Sequence, residues 1–292
     1  MAVNGNEPLS VGNVAAALGV SASSGSTGDK PISAENLKSV LSKAMTFDVE
    51  SSSWSELAAM SANVDAGNAD MYRNLFKGAI GKEKTITLSK EWGIGDASKK
   101  SSKTLHAVCI DVCKDVDVNG KPCLFTFFIR PRTFFHYGYH SGSIGDYKSR
   151  YEREYLNDQS MWFGYIQQDL RDVIRVVPRK YWSKDGSWKI ATINEKLSIP
   201  SLAELGVSVP DSWHSGYDGT VYEWLSKHRG LLFGGRTIVT RTSRSNSSVE
   251  SSYYSVCSSS TDYSTSDEEA DLASSVSAGG ASTQRVTPIF CI

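Results

Sequence analysis

A serine- and tyrosine-rich stretch at residues 243–266 constrains this chain most strongly, because an apolar segment follows it at the C-terminal end. Ser accounts for 12 of its 24 residues, and so little apolar surface does not offset the entropy lost on ordering. Alone, the stretch would be a disordered tail. Residues 285–292, however, read RVTPIFCI and predict a short, half-buried strand. The sequence therefore predicts a long polar surface excursion that is anchored in the fold at both ends.

The composition of this excursion is typical of binding loops, in which Tyr supplies rigid contact area and Ser and Asn supply adaptable hydrogen bonds. A solvated loop that binds nothing is the alternative. We therefore expect either a ligand-binding face or a solvated loop without a ligand between two apolar strands.

Length and charge limit the class of protein. A chain of 292 residues can bury the core of one large domain or of two modest ones. Its 31 basic and 32 acidic residues give no basic footprint for nucleic acid. No run of 18 apolar residues and no signal-peptide pattern is present. We expect a soluble protein that does not insert into membranes, bind nucleic acid or follow the general secretory route.

The five cysteines do not suggest a disulfide framework, because their number is odd and the chain is long. Cys109 and Cys291 lie in apolar, strand-like contexts, where a free thiol packs as a small hydrophobic group. We expect all of them to be reduced: Cys109, Cys113, Cys123, Cys257 and Cys291.

The N-terminal part divides into two regions by composition. Residues 1–30 are rich in Gly, Ser and Asn and predict a flexible segment. Residues 31–82 predict short helices, including one over 37–45, one that begins with the capping-box pair Ser53 and Glu56, and one over 70–76. Short helices are marginal alone. We favour attachment or oligomerisation through this region, with packing on the same chain's core as the alternative.

Strand patterns dominate from residue 83 onward. Runs at 84–88, 105–112, 123–129, 189–193 and 237–241 predict strands, and Asn119-Gly120 predicts a hairpin between the second and third. An apolar stripe over 159–176 predicts one long helix that ends before Pro178. Two shorter helical segments are predicted at 201–205 and 220–228.

No catalytic or metal-binding constellation emerges from the motifs. His136 and His140 flank a glycine and aromatic residues that disfavour a helix, and Cys109 and Cys113 would lie about 13 Å apart in a strand. The glycines at 93–95 predict a turn, and the acidic run at 267–269 predicts a solvated face. We expect no metal, no cofactor and no enzymatic activity.

An aromatic cluster lies within and after the third strand. A stacking platform for nucleic acid or sugars is conceivable, but a basic groove is missing and alternate residues favour core packing. Its members are Phe125, Phe127, Phe128, Phe134, Phe135, Tyr137 and Tyr139.

Four separated motifs resemble an uncharacterised domain family of bacteriophage tail proteins and bacterial surface proteins. They are EWGIGD at 91–96, REYLN at 153–157, EKLSIPS at 195–201 followed by Glu204, and the segment from 278 to RVTPIFCI at 285–292. Together they cover about residues 84–292 in the family's order. The segments at 7–15 and 30–37 resemble the opening of minor tail proteins.

This resemblance implies a C-type lectin-like fold of the α+β class for residues 83–292, preceded by the helical region. Members of that family carry variable surface loops, in many phage examples without calcium. The chain departs from the family's sequence pattern at one place, just before the Ser-rich stretch. The family usually has two tryptophans there, whereas this chain has Ile238 and Val239, followed by an Arg241 and Thr242 that fit the pattern.

The implied fold also resembles the variable proteins of diversity-generating retroelements, in which adenine-directed mutation favours Asn, Ser, Tyr, Thr and Asp. Ordinary members of the domain family are Ser- and Tyr-rich here as well, so diversification is one of two explanations. The resemblance implies these ligand-binding residues: Arg241, Arg244, Asn246, Ser248, Tyr253, Tyr254, Ser255, Asp262 and Tyr263.

The sequence thus leads us to expect a non-enzymatic phage or prophage tail protein that is made in the bacterial cytoplasm and located in the virion. Its partners would be a host-surface protein or glycan, other tail proteins and further copies of itself in a homotrimer. A structural virion protein without a ligand is the alternative. A formylglycine-generating type of enzyme is a remote one, since Cys257 and Cys291 have no supporting motif.

Overall fold

The computed structural model of the chain describes residues 47–89, 104–130, 147–149, 151–160, 162–183, 189–207, 218–228, 237–244, 253–258, 272–276 and 286–292. Several sequence predictions lie outside these residues: the flexible segment at 1–30, the helix at 37–45, the glycine turn at 93–95, the acidic run at 267–269, the four aromatic residues at 134–139 and the two histidines beside them.

Two helices open the described chain. Helix α1 spans Trp54–Ser61 and helix α2 spans Ala69–Phe76, followed by a 3-10 turn at Lys77–Ala79. Glu56 N donates to Ser53 Oγ at 3.2 Å, and Ser53 N donates to Glu56 Oε2 at 2.7 Å. These two bonds satisfy amide groups that a helix start leaves free. The predicted capping box is therefore confirmed.

A four-stranded antiparallel sheet follows. Its strands are β1 (Glu83–Thr87), β2 (Thr104–Val112), β3 (Phe125–Ile129) and β9 (Ile289–Cys291), in the order β1-β2-β3-β9. The predicted hairpin joins β2 to β3, and Gly120 at its tip has a φ of 78° that favours glycine. Strand β9 is fully buried rather than half-buried, because it pairs with β3 and packs in the core.

The middle of the chain forms short elements around a second, two-stranded sheet. A 3-10 turn at Tyr147–Ser149 precedes helices α3 (Tyr151–Asn157), α4 (Trp162–Tyr165) and α5 (Gln168–Arg171). Strands β4 (Val177–Ser183) and β5 (Lys189–Glu195) pair along their whole length. Residues 202–206 form turns rather than the predicted helix, and helix α6 spans Glu223–Lys227.

The prediction of one helix over 159–176 is wrong. Residues between α4 and α5 instead bond to the end of β1: Gln167 N donates to Thr87 O, Ser89 N donates to Tyr165 O, and Ile166 bridges Leu88. These long-range bonds replace helical ones. Pro178 does not end a helix either, since it is the second residue of β4. The apolar stripe is nonetheless core, because Trp162, Phe163, Ile166 and Leu170 are buried.

The Ser-rich region is not one continuous loop. Strand β6 (Thr237–Arg244) pairs with β7 (Tyr253–Ser258), and β7 pairs with β8 (Leu272–Val276), which makes a third antiparallel sheet. Regular backbone pairing therefore organises part of a segment whose composition alone indicates a solvated excursion.

Helices α1 and α2 share a hydrophobic core with the four-stranded sheet. The Trp54 ring lies 5.4 Å from the Phe127 ring, which stacks on Phe290 of β9 at 5.2 Å. Buried Ser61 Oγ donates to Ile292 O and accepts from Leu124 N. Helices α1 and α2 therefore pack in the same hydrophobic core as the sheet that follows residue 82.

The described residues thus form a mixed arrangement of helices and antiparallel sheets that is compatible with the α+β class. Of the predicted aromatic cluster, Phe125, Phe127 and Phe128 are fully buried. Core packing, and not an open stacking platform, explains these three rings.

Candidate functional site

Arg241 lies at the centre of a buried polar network and not on a ligand face. Its side chain is fully buried in β6. Nε donates to Lys180 O at 2.8 Å, NH1 donates to Ile199 O at 2.6 Å, and NH2 donates to Asp218 O and Glu204 Oε1. Every guanidinium nitrogen therefore has a partner inside the protein. The expectation that Arg241 contacts a ligand is wrong, since the fold uses this side chain to hold β6.

Glu204 connects this arginine to a second buried one. Its Oε1 lies 2.6 Å from Arg241 NH2 and 3.6 Å from Arg179 NH1. Its Oε2 accepts from Ser201 N, and Ser201 Oγ accepts from Glu204 N. This reciprocal pair has the geometry of a capping box. It fixes the carboxylate between two cations.

Asp115 is the counter-ion of Arg179. Arg179 NH1 lies 2.6 Å from Asp115 Oδ1, while Tyr222 OH and Thr126 Oγ1 both donate to the same carboxylate. Burial opposes ionisation of Asp115, but Arg179 and the two hydroxyls outweigh it and hold its pKa below the usual value. Asp115 and Arg179 therefore form a fixed ion pair.

Asp218 has the most strongly perturbed carboxyl of this network. Burial raises its pKa to about 6, although Arg241, Thr242 and Ser201 oppose the rise. Thr242 Oγ1 donates to Asp218 Oδ2 at 2.7 Å. The buried Oδ1 has no hydrogen bond of normal geometry among the described residues, although the Ser201 hydroxyl is near enough to influence the pKa.

An open cavity of about 200 Å³ lies beside this network. Arg179, Glu204, Asp218 and Tyr222 are buried side chains in its wall and Asp115 is half-buried, whereas Lys180 and Thr220 are exposed. Lys114 also lines it, and its Nζ donates to Val221 O and lies 4.4 Å from the centre of the Tyr222 ring. The cavity therefore combines three cations with three carboxylates, and we call it the polar cavity.

A second buried network holds the elements before β5. Arg153 of α3 and Glu195 of β5 form an ion pair at 2.6 Å, and Tyr147 OH donates to Glu195 Oε2 at 2.8 Å. Asn157 Oδ1 accepts from Leu197 N, while its amide donates to Leu197 O. Burial raises the pKa of Glu195 in spite of these partners. Residues of the REYLN motif at 153–157 are thus in direct contact with residues of the EKLSIPS motif at 195–201.

The other residues predicted to bind a ligand belong to the β6-β7-β8 sheet or to the segments beside it. Arg244 is the register partner of Tyr253, and Tyr254 is the partner of Ser243 on one side and of Val276 on the other. Ser255 pairs with Ser275. Asn246, Ser248, Asp262 and Tyr263 lie outside the described residues. The sheet therefore brings Arg244 and Tyr253 together along the backbone.

The cysteines with described side chains are buried free thiols, namely Cys109, Cys113, Cys123 and Cys291. Burial raises the pKa of Cys291 well above its ordinary value, although nearby Arg179 opposes this. A thiol that stays protonated is a poor nucleophile. Cys257 pairs with Ile238 and Ala273 in the third sheet, whereas Cys291 is in the four-stranded sheet.

The chemistry of the site is that of fixed charges and hydrogen bonds. Within the described stretches, no group of three or more His, Cys, Asp or Glu side chains has the arrangement of a metal site. Sequence reasoning overlooked the polar cavity, because its lining residues come from four separated segments. Of these lining residues, only Glu204 belongs to a motif that the sequence analysis identified.

None of the helices among the described residues combines the length and apolar character needed to cross a bilayer. Comparison of the chain with protein-family models, with curated proteins and with solved structures finds no match.

Proposed function

We propose that the protein is a non-enzymatic phage or prophage tail protein that binds a host-surface ligand through its Ser- and Tyr-rich segment. One observation carries the proposal: this polar segment leaves and re-enters the fold through two buried anchors. Arg241 and Thr242 hold its start, and β9 holds the chain after its end. A rigid scaffold with a tolerant polar surface between fixed ends suits recognition of variable ligands.

Pairing within the third sheet supports the same function. Arg244 opposite Tyr253 and Ser243 opposite Tyr254 place two residue types that are common in binding surfaces on adjacent strands. The proposed ligand contacts are Arg244, Asn246, Ser248, Tyr253, Tyr254, Ser255, Asp262 and Tyr263. Arg241 is excluded from this set, since it is an anchor. The C-type lectin-like fold and the diversification of this segment are part of the proposal.

The proposed partners also include other tail proteins and two further copies of this chain in a homotrimer. The apolar faces of α1 and α2 pack in the chain's own core, so trimer contacts would use other surfaces of residues 1–82. Light scattering coupled to size-exclusion chromatography measures the assembly mass. A mass of one chain at micromolar concentration would contradict the trimer without bearing on ligand binding.

A triple substitution tests ligand binding directly. Replacing Tyr253, Tyr254 and Tyr263 by Ala should abolish adsorption of the particle, or of the labelled protein, to host cells. The expected change in melting temperature is small. The matched control replaces three exposed residues of β5, Lys189, Thr192 and Asn194, by Ala and should leave adsorption unchanged.

Two results would contradict this function. Unaltered adsorption of the Tyr variant would show that the segment is not the contact surface. Protein that stains no host cell but is required for particle assembly would instead favour a structural virion component.

A further inference from the structure

We propose that the third sheet contacts the ligand through the face that carries Tyr254 and Val256, and that Tyr253 lies on the opposite face. The inference rests on the proposed function and narrows its set of contacts within the sheet. It follows from one buried residue of β6 and from the register of the three strands.

Ile238 of β6 fixes which face of the third sheet meets the rest of the protein. Its side chain is fully buried and belongs to a hydrophobic cluster with Val108 of β2 and Phe128 of β3. Residues that are direct partners on adjacent strands lie on the same face of a sheet. Cys257 is the partner of Ile238, and Ala273 is the partner of Cys257. All three therefore lie on this face, which we call the inner face.

Alternation along β7 assigns its two tyrosines to different faces. Successive residues of a strand lie on opposite faces of the sheet, and β7 pairs with the whole of β8 without a register shift. Ser255 therefore shares the inner face with Cys257, and continued alternation places Tyr253 there as well. Tyr254 and Val256 lie on the other side, the outer face.

The irregularity in β6 does not reverse this assignment. Val239 pairs with Val256. Ser243 then pairs with Tyr254, so the three buried residues at 240–242 stand opposite the single residue between those partners. Strand β6 thus returns to the outer face at Ser243. The outer face comprises Thr237, Val239, Ser243, Tyr254, Val256, Ser258, Leu272, Ser274 and Val276.

The outer face is uncharged. None of its nine residues is Asp, Glu, Lys, Arg or His, whereas five are Val, Leu or Tyr and four are Ser or Thr. Arg244, the partner of Tyr253, lies on the inner face. Contacts of the outer face are therefore apolar burial and hydrogen bonds rather than ion pairs. The part of the ligand that meets this sheet is an uncharged surface.

Thiol labelling tests the two faces without a ligand. Ser258→Cys puts a thiol on the outer face beside native Cys257 on the inner face. Iodoacetamide at pH 8 on the folded full-length variant, followed by peptide mass spectrometry, should label the introduced thiol at least tenfold faster than Cys257. Ser274→Cys repeats the outer-face measurement on β8, and Ser255→Cys is the inner-face control. Equal rates on the two faces, or faster labelling of the inner one, would overturn the assignment.

Adsorption to host cells tests the contact itself. Val256→Ala should lower adsorption at least fivefold, whereas the adjacent Cys257→Ala should leave it unchanged. Tyr254→Ala should weaken adsorption at least tenfold more than Tyr253→Ala does. The fold loss caused by Tyr254→Ala should be the same in 0.1 M and 0.5 M NaCl, because salt screens only charged contacts.

The outcomes separate this inference from the proposed function. If Tyr253→Ala weakens adsorption as much as Tyr254→Ala, or Cys257→Ala as much as Val256→Ala, the inference is wrong and the proposed function stands. A loss that shrinks in high salt would likewise contradict an uncharged contact alone. Wild-type protein that binds no host cell would overturn both proposals.

Discussion

The Arg241 guanidinium meets the Glu204 carboxylate at 2.6 Å in the protein interior, where the two side chains expose 0% and 4% of their surface. Breaking such a pair leaves an uncompensated buried charge. We expect Arg241→Met to lower the free energy of unfolding by about 3–5 kcal/mol, measured by urea denaturation at pH 7.

The control is Lys227→Met, which removes an exposed ion pair with Glu223. Its expected cost is below about 1 kcal/mol, because solvent screens exposed pairs. Similar losses for Arg241→Met and Lys227→Met would show that β6 is not held by the interior pair.

The Asp218 carboxyl should make stability fall as pH rises. Its folded pKa of about 6 is above the ordinary value of 3.8, so the folded state holds the proton more tightly. The stabilisation is complete below pH 4 and is lost as pH rises through 6. It amounts to roughly 3 kcal/mol by linkage. Urea titrations at pH 4, 5, 6 and 7 should show this decline as the difference between the wild type and Asp218→Asn.

Asp218→Asn should remove that component, so the difference between the two stability curves is the informative quantity. Other buried carboxyls, such as Glu195, contribute equally to both proteins and cancel. Parallel curves for wild type and variant would contradict an elevated pKa at Asp218.

Gly219 should not tolerate a side chain. An added Cβ would approach Glu204 Cγ to 2.5 Å and Ser201 Oγ to 2.7 Å, which forces the capping pair apart. We expect Gly219→Ala to lower the melting temperature through a loss of about 1–3 kcal/mol. Gly78→Ala is the control, because nothing lies within 4 Å of its added Cβ. A wild-type melting temperature for Gly219→Ala would rule out the tight wall.

Ser61 joins helix α1 to the closing segment of the chain. Its hydroxyl donates to Ile292 O at 2.7 Å and accepts from Leu124 N at 3.1 Å. Ser61→Ala should cost about 1–3 kcal/mol, since it leaves the buried Leu124 N–H without a partner, whereas Ile292 O keeps its bond from Phe125 N. Ser52→Ala, which removes a solvent-exposed bond from a half-buried serine to Asp48 O, should cost less than half as much in the same denaturation assay. Equal costs would mean that α1 is only loosely docked.

The four described thiols should resist alkylation in the folded protein. Burial raises the pKa of Cys113 to about 12 although Arg73 opposes the rise, and it raises the pKa of Cys109 still further. Iodoacetamide at pH 8, followed by peptide mass spectrometry, should label Cys109, Cys113, Cys123 and Cys291 only after denaturant is added. Rapid labelling of Cys113 without denaturant would show that its environment opens.

Local signals in the sequence predicted local structure well. The Ser53 and Glu56 spacing predicted the start of α1, and Asn119-Gly120 predicted the hairpin, because both features depend on a few adjacent residues. The predicted helix over 159–176 is divided into shorter elements. Bonds from Thr87 and Ser89 interrupt it, and no pattern in residues 159–176 can reveal them.

The buried polar network around Arg241 also could not be predicted from local sequence patterns. Arg241 stands in an alternating strand pattern, in which one face is usually solvated. Both faces are covered here, since Thr240, Arg241 and Thr242 are all buried. The acceptors of Arg241 come from residues 180, 199, 204 and 218. These acceptors come together only through tertiary packing. The strand pattern suggests a surface position for Arg241, whereas its side chain is the central anchor of the network.

The pairing of β9 with β3 has a consequence for biosynthesis. Thr126 and Cys291 are neighbours in the sheet although 165 positions separate them. Contacts between such distant parts of a chain slow folding, because the long loop must close before they form. The central sheet therefore cannot be completed on the ribosome until the entire Ser- and Tyr-rich segment has been synthesised.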